Sequence, residues 1–249
     1  MNIFKKLETF AYRSIIVPLQ GRKTFDFVKD HYTSGMKTLD FGCGTGNNSQ
    51  LFDAADYVGA EVDISRVNNS REKYPQKTFE QIPIINSDND SLPWKDKTFD
   101  LVFVSLCLHH INADTCKLIF KEFRRILKRK GKIIGIEPCL IKKNYINNIY
   151  MNILDVGDYI LSANKYKKLY LSESFETNHI NIIKTFGYNL WQYTSEPINN
   201  KSIPYKGGRT IYRKFTKPFH LLGLYGKWIA LIFIIYTIIN FLVNIISGT

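Results

Sequence analysis

The chain has 249 residues, 45% of them hydrophobic, and is long enough to bury a full core without disulfide or metal staples. Charged residues at 22% and aromatics at 14% exclude a disordered or low-complexity protein. A net charge of +12 points to an anionic partner, either nucleic acid or a lipid surface.

Residues 1–35 are expected to form an N-terminal helical segment. Their opening does not read as a secretory signal, because Glu8 and Arg13 interrupt its short apolar stretches. From residue 36, apolar strands alternate with amphipathic helices. Met36–Phe41 reads as a strand running into a glycine turn, and Thr45–Ala54 as a helix. Tyr57–Val62 reads as a second strand, with a helix from about Ser65 to Lys73. A third short strand is predicted at Ile82–Asn86 and a buried fourth at Phe99–Ser105. Asp114–Lys128 places Leu118, Ile119, Phe123, Ile126 and Leu127 on one helical face. Lys132–Ile136 reads as a fifth strand opened by a turn at Gly131. Repeated strand–helix units imply a mostly parallel α/β sheet with right-handed crossovers.

After Pro138 the pattern changes. Residues 141–170 look helical, and a helix is predicted over Ser172–Thr185. Strands are predicted at Tyr188–Thr194 and Arg209–Phe215. Cys43, Cys107, Cys116 and Cys139 show no zinc spacing and read as reduced thiols, and no metal is expected.

The charge is not evenly spread. After Glu196 come seven basic residues and no acidic one, and Trp228–Thr249 carries no charge. The run Trp228–Ile246 is apolar and long enough, as a helix, to reach across a bilayer's hydrocarbon. Strands are rarely this long without Gly or Pro, so a membrane-anchoring helix over about 228–247 is favoured over a buried core segment. The basic flank would then lie on the cytoplasmic side, with the catalytic domain. The charge therefore reads as a membrane flank, and nucleic acid is a disfavoured partner.

The strongest chemical signal is Thr38–Gly46, a strand running into Gly42, Gly44 and Gly46. Glycine permits the tight turn and lets a ligand approach the backbone. Asn47 stands where a dinucleotide fingerprint would place its last glycine, which disfavours NAD. Asp63, 21 residues after Gly42, ends the second strand and suits a ribose diol.

Four segments, LDFGCGTG (39–46), EVDIS (61–65), SDNDSLPWKDKTFDLVFVS (87–105) and LHHI (108–111), resemble the class I S-adenosylmethionine-dependent methyltransferase family. The resemblance covers residues 36–139, and 170–215 more loosely. It implies a Rossmann-like, doubly wound, seven-stranded, mostly parallel sheet over 36–216, with an acceptor lid at about 140–170. It further implies that Asp40, Gly42, Gly44 and Gly46 line the methionine end of S-adenosylmethionine. Asp63 would hold the ribose, with Ile64 beside it, although Glu61 stands close enough to compete. Asp88 and Asn89 would meet the adenine, and Ser105 would lie beneath the sulfonium. His109 and His110 fall where the acceptor belongs and are candidate bases; one of them could instead simply bond the loop. Asp155, Asp158 and Tyr159 in the lid are candidate substrate contacts or a solvated helix face. The function expected is a membrane-anchored methyltransferase acting on a lipophilic acceptor: an isoprenoid quinone, a polyprenyl-linked intermediate or a phospholipid headgroup. Another group transfer from the same cofactor to a quinone, or methylation of nucleic acid, are the alternatives.

Overall fold

The short apolar runs between glycines and charged helices form a seven-stranded sheet. A computed structural model describes residues 17–155, 157–184, 188–199 and 205. The chain order is α1 (Val17–His31), β1 (Thr38–Phe41), β2 (Tyr57–Glu61), α2 (Ile64–Lys73), β3 (Thr78–Gln81), β4 (Phe99–Ser105), α3 (Ala113–Ile126), β5 (Leu127–Pro138), α4 (Tyr145–Leu154), α5 (Ala163–Leu171), β6 (Phe175–Lys184) and β7 (Asn189–Pro197). The spatial order is β3-β2-β1-β4-β5-β7-β6. β1 to β5 pair in parallel, whereas β7 runs antiparallel to both β5 and β6. This is the expected Rossmann-like α/β arrangement.

Alternate residues of β4 feed opposite faces. Val102 and Val104 pack with Phe120 and Phe123 of α3 and Tyr166 and Tyr170 of α5. Leu101 and Phe103 pack with Phe27 of α1, Val67 of α2 and Met151 of α4. A strand buried on both faces must be apolar throughout, as β4 nearly is.

Several local expectations are corrected. Thr45–Ala54 is not an α-helix but two 3-10 turns, Asn47–Leu51 and Ala54–Asp56; its polar NNSQ stretch offers no apolar stripe to pack. The third strand is Thr78–Gln81, ahead of the apolar 82–86, where Pro83 has no N–H for a ladder. Gly131 does not open β5 by a turn. It lies within the strand at an irregularity in its pairing with β4, where a Cβ would press on Lys128 O and Phe99 O at 3.0 Å. Ser172–Thr185 is not a helix: β6 pairs with β7 along its length, from Phe175 opposite Pro197 to Lys184 opposite Asn189. The strand expected at Arg209–Phe215, the first 16 residues and the run Trp228–Ile246 lie outside the described residues. Among the described residues, no helix is long and apolar enough to cross a membrane.

Candidate active site

The parallel strands all end at one edge of the sheet, and the glycine loop leaves β1 there. Gly42, Gly44 and Gly46 have φ of 71°, 58° and 71°, a region that strongly favours glycine. They serve different ends. A Cβ on Gly42 would strike the Cys107 thiol, so this residue is small for packing. A Cβ on Gly44 would have nothing within 4 Å, so its backbone faces open space. Asp40 is buried beneath the loop, where its carboxylate accepts a hydrogen bond from Tyr57 OH at 2.9 Å. Burial pushes its pKa up to about 7, against the pull of the Tyr57 bond and with the help of the Glu61 charge.

The two acids that end β2 divide their work. Glu61 is buried, and its carboxylate accepts from Gly44 N at 3.1 Å, Val62 N at 2.9 Å and Asp63 N at 3.1 Å. Asp63 is exposed and caps α2, accepting from Ser65 N at 2.8 Å and Ser65 Oγ at 2.6 Å. These bonds hold its pKa below the ordinary value. Only Glu61 is tied to the glycine loop. Ile64 and Val62 are exposed beside it. Asp88 and Asn89 lie in the exposed loop after β3, with Asp88 paired to Lys121 of α3 at 2.6 Å. Asp90 shapes that loop by accepting from Asn86 N and Ser87 N, both at 2.8 Å.

At the end of β4, Ser105 is half-buried and Leu106 takes φ of 53°, a strained conformation for a residue with a Cβ. Glu137 of β5 holds this turn in place. It is fully buried and accepts from Cys107 N and Leu108 N at 2.8 Å, and from His109 N at 3.4 Å. The first two meet Oε1, and Oε2, which takes the His109 amide, also lies 2.8 Å from His109 Nδ1. The far side of the ring faces Asp155, with Nε2 3.5 Å from Oδ1. Asp155 in turn accepts from Gly157 N at 2.6 Å and from Tyr188 OH. Burial lowers the His109 pKa, but the Glu137 hydrogen bond and the charges of Glu137 and Asp155 outweigh it, and the net direction is up. The His110 ring leans against it, tilted, at 4.0 Å between centroids, and partial desolvation followed by the His109 charge lowers its pKa. His110 is exposed, so of the two it is the ring able to take a proton from an acceptor. Glu137 escaped the sequence reading. Its signal was a lone acid inside the apolar run IIGIEPCL.

Of the lid residues, Asp155 is consumed by the buried network and Asp158 is exposed. Tyr159 donates its backbone N–H to His109 O at 2.8 Å and lines a cavity of about 180 Å³. Leu108, Ile111, Cys116, Leu161, Tyr166 and Leu169 share that lining. Asn112 and Asp114 also line it, so the cavity is mostly apolar with a polar part, and it begins at Leu108 in the turn that carries the histidines.

Residues 39–135 match the family described as a methyltransferase domain. An uncharacterised protein of Methanocaldococcus jannaschii is 33% identical over 66% of this chain and 68% of its own length. Residues 39–135 form a domain of this methyltransferase family. Its cofactor is S-adenosylmethionine, and the residues present suit it: an open, left-handed Gly44 and, bonded to its amide from the end of β2, the buried carboxylate of Glu61. The demethylmenaquinone methyltransferase of Staphylococcus aureus is 32% identical over 41% of this chain and 43% of its own. The chain spans about half the length of the quinone methyltransferases it matches. A solved protein of Pyrococcus horikoshii shares the fold, with a TM-score of 0.56 at 21% identity over 75% of this chain and 91% of that one.

Proposed function

We propose that the chain is an S-adenosylmethionine-dependent methyltransferase whose acceptor is a lipid-phase small molecule, with a quinone-type ring as the leading candidate. The observation that carries this is the mostly apolar cavity lined by Leu108, Tyr159 and Tyr166 next to the histidine turn, which suits a ring or short tail. The names of its quinone-methylating relatives support it.

The bound cofactor supplies an activated methyl group on a sulfonium. Gly44 offers its backbone to the methionine end, and Glu61 is placed to accept the ribose hydroxyls, a role that Asp63 was expected to fill. The turn at Leu106 supports the reacting centre. The strap after α4 covers His109 and helps exclude water. His110 accepts the proton when the acceptor is an acidic hydroxyl or ring carbon. The basic flank and the run Trp228–Ile246 would hold this domain at a bilayer with its site on the cytoplasmic side.

Lipid extracts from cells with and without the gene, compared by mass spectrometry, test the reading. A lipophilic product heavier by one methyl substitution should depend on the gene and vanish with Glu61→Ala. Unchanged extracts, with methylation found in RNA instead, would overturn it.

A further inference from the structure

Helix α4 is built inside out. Its inward arc carries Asn147, Asn148 and Asn152, all buried, together with Met151. The amides are well bonded. Asn148 brackets Ile141, accepting from its N at 3.1 Å and donating to its O at 2.8 Å. Asn147 donates to Asn189 Oδ1 at 3.0 Å, and Asn152 to Asn148 O at 2.6 Å. The outer arc carries Tyr145, Ile146 and Ile149, which are 60%, 70% and 47% exposed. A helix in water shows the opposite pattern. A single exposed isoleucine is ordinary, but three large apolar side chains on one arc above a bonded polar arc are not. Lys142 and Lys143 stand exposed at the start of the helix, and no acidic residue occurs between Glu137 and Asp155.

We propose that the outer face of α4 docks on an anionic lipid surface. An interfacial helix lies in the plane of the bilayer with its apolar arc immersed. Tyr145 suits the headgroup level, and the lysines match the negative surface charge. A second copy of the chain fits less well. A ten-residue helix offers far less than the ~800 Å² per partner of a stable interface, and pairing would set lysines against lysines.

The position gives the contact a purpose. Met151 packs α4 on one face of the sheet, while Leu161 packs on the other. The strap between them therefore crosses the strand ends, where Tyr159 bonds His109 and lines the cavity. Docked α4 would bring the near end of this strap, and with it the edge of the sheet where the strands end, to the bilayer. That purpose rests on the lipid-phase acceptor reading; the docking itself does not.

The test uses the full chain carrying an environment-sensitive fluorophore on Ile149→Cys, with a second label on Lys130→Cys, an exposed site near the start of β5. The unsubstituted chain, taken through the same labelling, corrects for half-buried Cys107. On vesicles of equimolar phosphatidylcholine and phosphatidylglycerol, the label at 149 should shift to the blue and be quenched by acyl-brominated lipid. The label at 130 should stay in water. Lys142→Glu with Lys143→Glu should weaken the titration roughly tenfold. A label at 149 that stays wet while the chain floats with the vesicles would overturn the proposal. A blue label in the dilute chain without lipid would do so too, by showing that another segment of the chain covers α4; a shift that grows with protein concentration alone would show a second copy. A dry label without a methylated lipid product would remove the acceptor reading and leave the docking, and a wet label with such a product would do the reverse.

Discussion

Two carboxylates, Glu61 at the end of β2 and Glu137 near the end of β5, lie at the same edge of the sheet, and both are buried against backbone amides. They differ in what lies beyond them. Glu61 is tied to a glycine whose far side is open, and it pairs with the exposed Arg66 at 3.7 Å. Glu137 is closed on every side by the turn after β4 and by His109. One half of the site is thus prepared for a ligand, whereas the other half spends its polar groups on its own backbone. Burial with amides alone does not mark a binding residue; an open side does.

Removing the closed carboxylate should have the largest effect. Glu137→Leu leaves three amides and an imidazole unpaired in a dry site, a loss of about 3–5 kcal/mol. Chemical denaturation should show it directly. Glu137→Gln, which keeps one acceptor, should lose less and should also return the His109 pKa toward its ordinary value, read by NMR titration. An unchanged midpoint for the leucine variant would mean that the turn is held by something else.

The buried groups also set a pH dependence. The Asp40 carboxyl titrates near 7 when folded but near its ordinary 3.8 when unfolded. Between those values the folded state binds more protons, so this residue makes stability fall as pH rises from about 4 to about 7. The slope is at most about 1.4 kcal/mol per pH unit. His109, also raised, adds in the same direction, since its contribution is full below its unfolded pKa and is lost as pH rises through its folded one. Asp40→Asn should remove the first contribution, so its stability relative to the parent should improve from pH 4 to pH 7. A difference that stays constant across that range would show that Asp40 is ionised throughout.

The open half was largely legible in the sequence because its signals are local. Three glycines at alternate positions after an apolar strand declare the loop without any tertiary information. The choice between Glu61 and Asp63 was not local: it turns on the Gly44 amide, 17 residues away, and on the helix that Asp63 caps. The β6 strand was missed for the same reason. Residues 175–184 carry apolar positions compatible with a helix, and only the partner strand β7 decides the matter. The inverted face of α4 was hidden as well, since YINNIYMNIL shows no direction until Asn189 and Ile141 claim the asparagines.

Within the open half, the two acids of β2 can be separated. Glu61→Ala should weaken S-adenosylmethionine binding by about tenfold or more, since charge-assisted hydrogen bonds to the ribose and the Gly44 anchor are lost together. Calorimetry on the purified chain measures this. Glu61→Asp, one methylene shorter, should recover only part of the affinity.

Asp63→Ala should have the smallest effect, and it makes the comparison sharp. The carboxylate caps α2 and is exposed, so its loss should lower stability only by the modest amount usual for an N-cap, read as a small shift of the denaturation midpoint. Cofactor affinity should change by less than about threefold, because the cap acts on the loop only through the start of the helix. Asp63→Ser, which keeps a capping oxygen but no charge, should restore the stability and leave the affinity where it was. A loss of affinity larger for Asp63→Ala than for Glu61→Ala would return the ribose to Asp63, and would mean that the loop-bound carboxylate is structural on this side of the site too.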